Sequence, residues 1–144
     1  MGLTYANPRI KHLSDPVELQ RLLLQNAREP LTYDVGEWLN NPANFALVSG
    51  DDLGLFEAKG EWPGPLHAHV FFKSRGKEAL RIAREMLAQA FSYRATEMLG
   101  ETPAKYRDAW LFARLLGFEK YDERDGIIYS RLMTNNLWWD NTVS

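Results

Sequence analysis

The chain contains no cysteine, which excludes disulfides and thiolate zinc sites and fits a cytoplasmic protein. It also lacks long apolar runs. The opening "MGLTYANPRIKHL" holds no apolar core of signal-peptide length, no segment approaches a membrane span, and Gly2 is not followed by the serine or threonine of a myristoylation signal. An excess of either charge is missing too: 17 basic residues face 19 acidic ones, interspersed, for a net charge of −2. Such a surface is no electrostatic glove for nucleic acid. There is no internal repeat, no low-complexity segment and no Gly-x-Ser-x-Gly. Ser74 has no base at a recognisable spacing, which speaks against a hydrolase. The charged stretches "EAKGEW" and "DERDG" do not have calcium-loop spacing.

What is present fits one ordinary soluble domain: 144 residues, 45% hydrophobic and 25% charged. "NPRIKHL" reads as a short strand. In "SDPVELQRLLLQNA" Asp15 is a natural N-cap, Pro16 suits the first helical position and Glu18 completes a capping-box spacing. "TYDVGEWLNNP" predicts a second short helix. Three strand-like runs follow, "FALVSG", "LGLFEAKG" and "PLHAHVFF", joined by turns at "GDDLG" and "GEWPGP". A long helix comes next, with Leu80, Ala83, Leu87 and Phe91 recurring at helical spacing beside Ile82, Met86 and Ala90. "TEMLGETP" reads as a fifth strand. "KYRDAWLFARLLGF" reads as a helix with Ala109, Phe112, Ala113 and Leu116 on one face and Gly117 as its stop. "FEKYDE" and "IIYSRL" pair through an Asp125-Gly126 turn. The expected architecture is α+β, a mainly antiparallel mixed sheet flanked by helices.

The stretch "HVFFKSRGKEALRIAREML" carries the most chemistry: an apolar strand, a short basic turn, then an amphipathic helix. A helix N-terminus offers unpaired N–H groups and a positive partial charge to an anion. Lys73, Arg75 and Lys77 add formal charge there, and Gly76 lets backbone approach a ligand closely. Residues alone leave two accounts: the turn cradles a phosphate, or Ser74 caps the helix and the basic side chains are simply solvated.

The order of elements, with "HAHVFFKSRGKEAL" followed by "TPAKYRDAWLFARLLGFEKYDE", resembles the GNAT superfamily of acyl-CoA-dependent N-acyltransferases, and more narrowly small GNAT-like proteins of tailed phages. The resemblance is best from Phe45 to Leu132. It implies a single GNAT-like domain over residues 1–134, with 135–144 as an aromatic tail, and acetyl-CoA as cofactor. By the same resemblance Phe71 and Phe72 offer backbone to pantetheine, Ser74, Arg75, Gly76, Lys77, Glu78 and Ala79 hold the phosphates, and Tyr106 stacks on or hydrogen-bonds the coenzyme or serves as an interface aromatic. The family turn, Gln/Arg-x-x-Gly-x-Gly/Ala, is met in full by no register here. Glu78 fits ordinary compensation of the helix dipole. The position of the family's acid tyrosine falls on Ala113, which donates no proton.

His67 and His69 point to one face of their strand, since side chains alternate with period two. A histidine takes up a proton near neutral pH. His69, nearer the point where the GNAT resemblance implies that this strand splays from its neighbour, is the candidate general base and Glu57 the reserve; packing of both histidines against sheet neighbours is the other account. A metal at His67-x-His69 finds no third ligand by spacing in His12. Trp138 and Trp139, in "MTNNLWWDNTVS", either fold back onto the domain or anchor a partner or a second copy of the chain. Two functions follow: an acetyl-CoA-dependent acetyltransferase of a small-molecule or protein amine, weak or degenerate in the absence of the acid tyrosine, or a non-catalytic GNAT-fold binding and assembly protein such as a phage structural or accessory component.

Overall fold

The computed structural model describes residues 9–30 and 34–133. The elements run β1 (Lys11–His12), α1 (Pro16–Asn26), α2 (Val35–Leu39), β2 (Phe45–Ser49), β3 (Asp52–Ala58), β4 (Leu66–Phe71), α3 (Gly76–Ser92), β5 (Glu97–Pro103), α4 (Arg107–Leu115), β6 (Glu119–Arg124) and β7 (Ile127–Met133). They match the order expected from the sequence. Asp15 caps α1 by accepting from the Val17 N–H at 3.1 Å. Glu18 does not close the capping box; its carboxylate turns along the helix to Arg21, the stronger partner.

The strands form one seven-stranded sheet in the order β1-β2-β3-β4-β5-β7-β6. Every neighbouring pair is antiparallel except β4 and β5, which run parallel. Alternation along the strands gives each face its own core. Ala46, Leu53 and Leu55 pack under Leu19, Leu22 and Leu23 of α1 and Val35 of α2. Leu47, Phe56, Leu66, Met98 and Leu132 pack on the other face, under Ile82, Met86 and Phe91 of α3 and Leu116 beyond α4. At Gly54 the helix comes so close that a Cβ would lie 2.9 Å from Met86 Sδ.

One seam interrupts the sheet. β4 and β5 share only two residue pairs, Leu66↔Met98 and His67↔Leu99. Beyond them the strands part, although β4 stays paired with β3 as far as Phe71 and β5 stays paired with β7 as far as Pro103.

Candidate functional site

The parted strands open a cavity of about 790 Å³, reached by residues of both sheet faces. Its wall includes Ser74, Arg75 and Gly76 of the turn, and Glu57, His67 and His69 of the sheet.

The turn is built around Asp52. This carboxylate, 3% exposed, accepts the Lys73 N–H at 2.7 Å, the Ser74 N–H at 2.8 Å and the Ser74 hydroxyl at 2.6 Å. Ser74 is therefore no helix cap: its N–H and hydroxyl both donate to Asp52, and the N-cap position belongs to Arg75. Arg75 occupies the N-cap position, yet no side chain caps the helix. The Arg75 guanidinium folds back to donate to the carbonyls of Phe72 at 2.6 Å and Ser74 at 3.0 Å. The first N–H groups of α3, on Gly76, Lys77 and Glu78, are left as the orphan donors of a helix start. Gly76 has φ +63°, a conformation L side chains resist, with nothing within 4 Å of where a Cβ would stand. Glu78 leans away from the turn toward Arg81, its Oε2 accepting the Nε–H at 3.1 Å, and that guanidinium holds its carboxyl below the usual range. Ala79 is buried against the core.

Phe71 and Phe72 lie where β4 has left β5. The Phe71 carbonyl accepts from Asn26 at 3.3 Å, and the Phe72 ring meets Phe112 of α4 edge-on at 6.2 Å. Tyr106 lines the cavity but is held by neighbours. Its hydroxyl donates to Glu29 at 3.0 Å, and its ring lies 4.8 Å from the Arg28 guanidinium and 5.2 Å from Lys105 Nζ. Arg28 also donates to Asp108 at 2.9 Å and holds that carboxyl down at about 2. These contacts tie the segment after α1 to the start of α4. No sequence signal marks Arg28, Glu29 or Asp108 as partners across such separations.

On the α1/α2 face, Glu57 stands directly opposite His67 in the β3–β4 ladder, and His69 lies one period further on. The two imidazole centroids are 4.4 Å apart. Glu57, His67 and His69 each present one ligand atom within 4.8 Å of the others. The third donor that spacing did not reveal thus arrives by strand pairing, but Lys59 Nζ already lies 3.1 Å from the Glu57 carboxylate. Burial works against the Glu57 charge and Lys59 outweighs it, leaving its carboxyl below the ordinary range. Burial pushes His67 down to about 4, with the Lys59 charge adding to the effect. Burial likewise takes His69 to about 4, helped by His67. Both rings are neutral at physiological pH.

That neutrality has a consequence for stability. In the unfolded chain a histidine titrates near 6.5, so between about pH 6.5 and 4 the unfolded state binds protons that the folded state refuses. The stabilisation is complete above 6.5 and is lost as pH falls through that window. Thermal unfolding midpoints measured from pH 7 to 5 are expected to drop, and a His67→Gln/His69→Gln double variant should flatten the slope. An equal slope in that variant would count against the assignment.

Two further groups were not legible in the sequence. Glu101 of β5, two residues past the last rung of the seam, places Oε2 3.1 Å from His67 Nε2. The approach lacks hydrogen-bond alignment, for neither ring nitrogen of His67 has a hydrogen-bond partner. On the opposite face the Ser130 hydroxyl is buried in the cavity wall without a partner. Gly100 leaves it that room, since a Cβ there would stand 2.9 Å from Ser130 Oγ. Trp138 and Trp139 lie outside the described residues. Among the described residues no helix is long and apolar enough to cross a membrane.

No protein-family model and no curated protein sequence matches the chain. Solved structures do match. The Campylobacter jejuni N-acetyltransferase PseH, crystallised in complex with acetyl coenzyme A, superposes with a TM-score of 0.64 at 13% identity, over 87% of this chain and 99% of that one. A spermidine N-acetyltransferase SpeG chimera from Vibrio cholerae and hSSAT gives 0.70 at 11%, over 88% and 96%. A GNAT-family acetyltransferase from Bacillus anthracis gives 0.60 at 11%, over 90% and 97%. At such identities the likeness is one of fold, and the fold is the single-domain GNAT-like α+β arrangement.

Proposed function

We propose that this GNAT-like domain is an acetyl-CoA-dependent N-acetyltransferase of a small-molecule amine. The observation that carries the proposal is the seam: one cavity connects the uncapped start of α3 with the Glu57–His67–His69 cluster. The residues present fit the coenzyme. Orphan N–H groups at Gly76, Lys77 and Glu78, with the Lys77 charge beside them, suit a pyrophosphate. The edge of β4 beyond His67, which has no ladder partner on the β5 side, suits the amides of an extended pantetheine arm. Bound acetyl-CoA would supply an activated acetyl thioester, whose C–S bond breaks as the C–N bond to the amine forms.

The protein's part is positioning and proton transfer. His69, neutral at working pH, accepts the proton that the nitrogen sheds as it attacks. A ring titrating near 4 is a weak base, which suffices because an amine becomes far more acidic once bonded to the carbonyl carbon. Phe72, Phe112 and residues Ala79, Ala83 and Met86 of α3 give the cavity an apolar wall. Ala113 offers no acid, so the thiol's proton comes from elsewhere.

Calorimetry with acetyl-CoA tests the proposal. Wild-type protein should bind at micromolar concentration, and Lys77→Glu should weaken binding at least about tenfold, roughly 1.4 kcal/mol, with an unchanged melting temperature. Lys77 is the cleaner probe, because Arg75 also holds the turn's carbonyls. Silence at millimolar coenzyme would sink the acetyltransferase assignment.

A further inference from the structure

Four carboxylates line the cavity: Glu29, Glu57, Glu101 and Asp108. A cation already sits on three of them. Lys105 Nζ is 3.3 Å from Glu29, Lys59 Nζ is 3.1 Å from Glu57, and Arg28 clasps Asp108. Glu101 differs. Among the described residues no lysine or arginine pairs with it; His67 lies against it and His69 feels its charge, and burial keeps both rings neutral. Its side chain is 45% exposed. It follows Leu99, the last paired residue of the seam, by two positions and so shares that residue's face, the one that also carries His67, His69 and Glu57. The His67 side chain beside it is only 4% exposed and has no hydrogen-bond partner on either ring nitrogen.

We propose that Glu101 binds the ammonium group of the acceptor, and that the acceptor is an aliphatic primary amine with no carboxylate next to its amino group. An aliphatic amine, like a lysine side chain, titrates near 10 and so arrives charged. A carboxylate without a counter-ion, at the wall of a cavity flanked by Leu55, Phe56, Phe72 and Phe112, attracts a cation more strongly than one in open water. An ammonium brings three N–H donors, enough to serve Glu101 and still offer one toward the unpartnered His67. At this half-exposed site one of its protons is lost to bulk water before the nitrogen attacks, and His69 takes the second as the C–N bond forms. An α-amino acid is disfavoured by the same geometry, since its own carboxylate would be forced toward Glu57 and Glu101. A neutral aromatic amine gains nothing from Glu101.

The proposal rests on the acetyltransferase assignment, and the experiment separates the two. Thiol release from acetyl-CoA is followed with butylamine, putrescine, alanine and aniline, using wild-type protein and Glu101→Gln. Butylamine and putrescine should be turned over and alanine and aniline should not. Glu101→Gln should raise the KM for butylamine about tenfold or more, with kcat within about twofold and acetyl-CoA affinity unchanged. Equal use of alanine or aniline, an unmoved KM in Glu101→Gln, or no turnover of any amine by protein that binds acetyl-CoA would overturn it. If acetyl-CoA does not bind at all, the acetyltransferase assignment has failed, and calorimetry with butylamine alone decides Glu101. Binding lost in Glu101→Gln upholds the ammonium site, and its absence or survival in the variant removes it.

Discussion

Replacing Asp52 by alanine is expected to lower unfolding free energy by about 3–5 kcal/mol and to abolish coenzyme binding. The carboxylate is buried and accepts three hydrogen bonds, two from backbone N–H groups and one from the Ser74 hydroxyl. Each bond to a charged group is worth on the order of 1.5–3 kcal/mol, and alanine would leave the turn's part-buried donors without their acceptor. The turn would then lose the shape that sets Gly76, the first residue of α3, at the cavity wall. Asp52→Asn separates shape from charge. Its amide oxygen can still accept from Lys73 and Ser74, so it should cost less than the alanine variant while removing a negative charge from beneath the anion site. Urea unfolding and acetyl-CoA calorimetry on both variants read the two effects. If Asp52→Ala unfolds like wild type, the turn is held by something else.

His69→Gln is expected to slow acetyl transfer by about a hundredfold to ten-thousandfold, the usual worth of a positioned general base. Coenzyme affinity and melting temperature at pH 7 should stay close to wild type. Glutamine keeps much of the ring's volume and a polar end, and the neutral ring contributes no charge that would be missed. Because His69 stays unprotonated down to about pH 4, the wild-type rate should show no inflection near 6.5. A profile that does bend at 6.5, or a full loss in His67→Gln with none in His69→Gln, would move the base to another group. Single-turnover measurements with butylamine would make the distinction, because they read the bond-forming step without product release.

The parts legible in the sequence are those whose signal is local. Asp15-Pro16 announced α1, Asp125-Gly126 announced the last hairpin, and the apolar spacing from Ile82 to Phe91 announced α3 with its buried face. Alternation put His67 and His69 on one face, as found. Register is another matter. That Glu57 faces His67 depends on how β3 and β4 slide past each other, which no residue of either strand specifies alone. Asp51 and Asp52 look identical within "GDDLG", yet only Asp52 is buried beneath residues 73 and 74. Glu101 reads as any strand glutamate until its neighbours are found to bring it no cation. Tyr106 was legible as an aromatic at a helix start, but not as a ring held between Arg28 and Lys105. Partners far apart in the chain leave no trace in spacing.

A sheet with one seam only two rungs long is, mechanically, two panels on a short hinge, β1–β4 on one side and β5–β7 on the other. Whatever lies along the gap and pairs with its edges supplies the missing rungs. The ligand then becomes a temporary structural member, and the protein around it should behave as one panel. The amides that would register this are those of Ala68 to Phe71 and Gly100 to Thr102, whose hydrogen exchange should slow together when the gap is bridged.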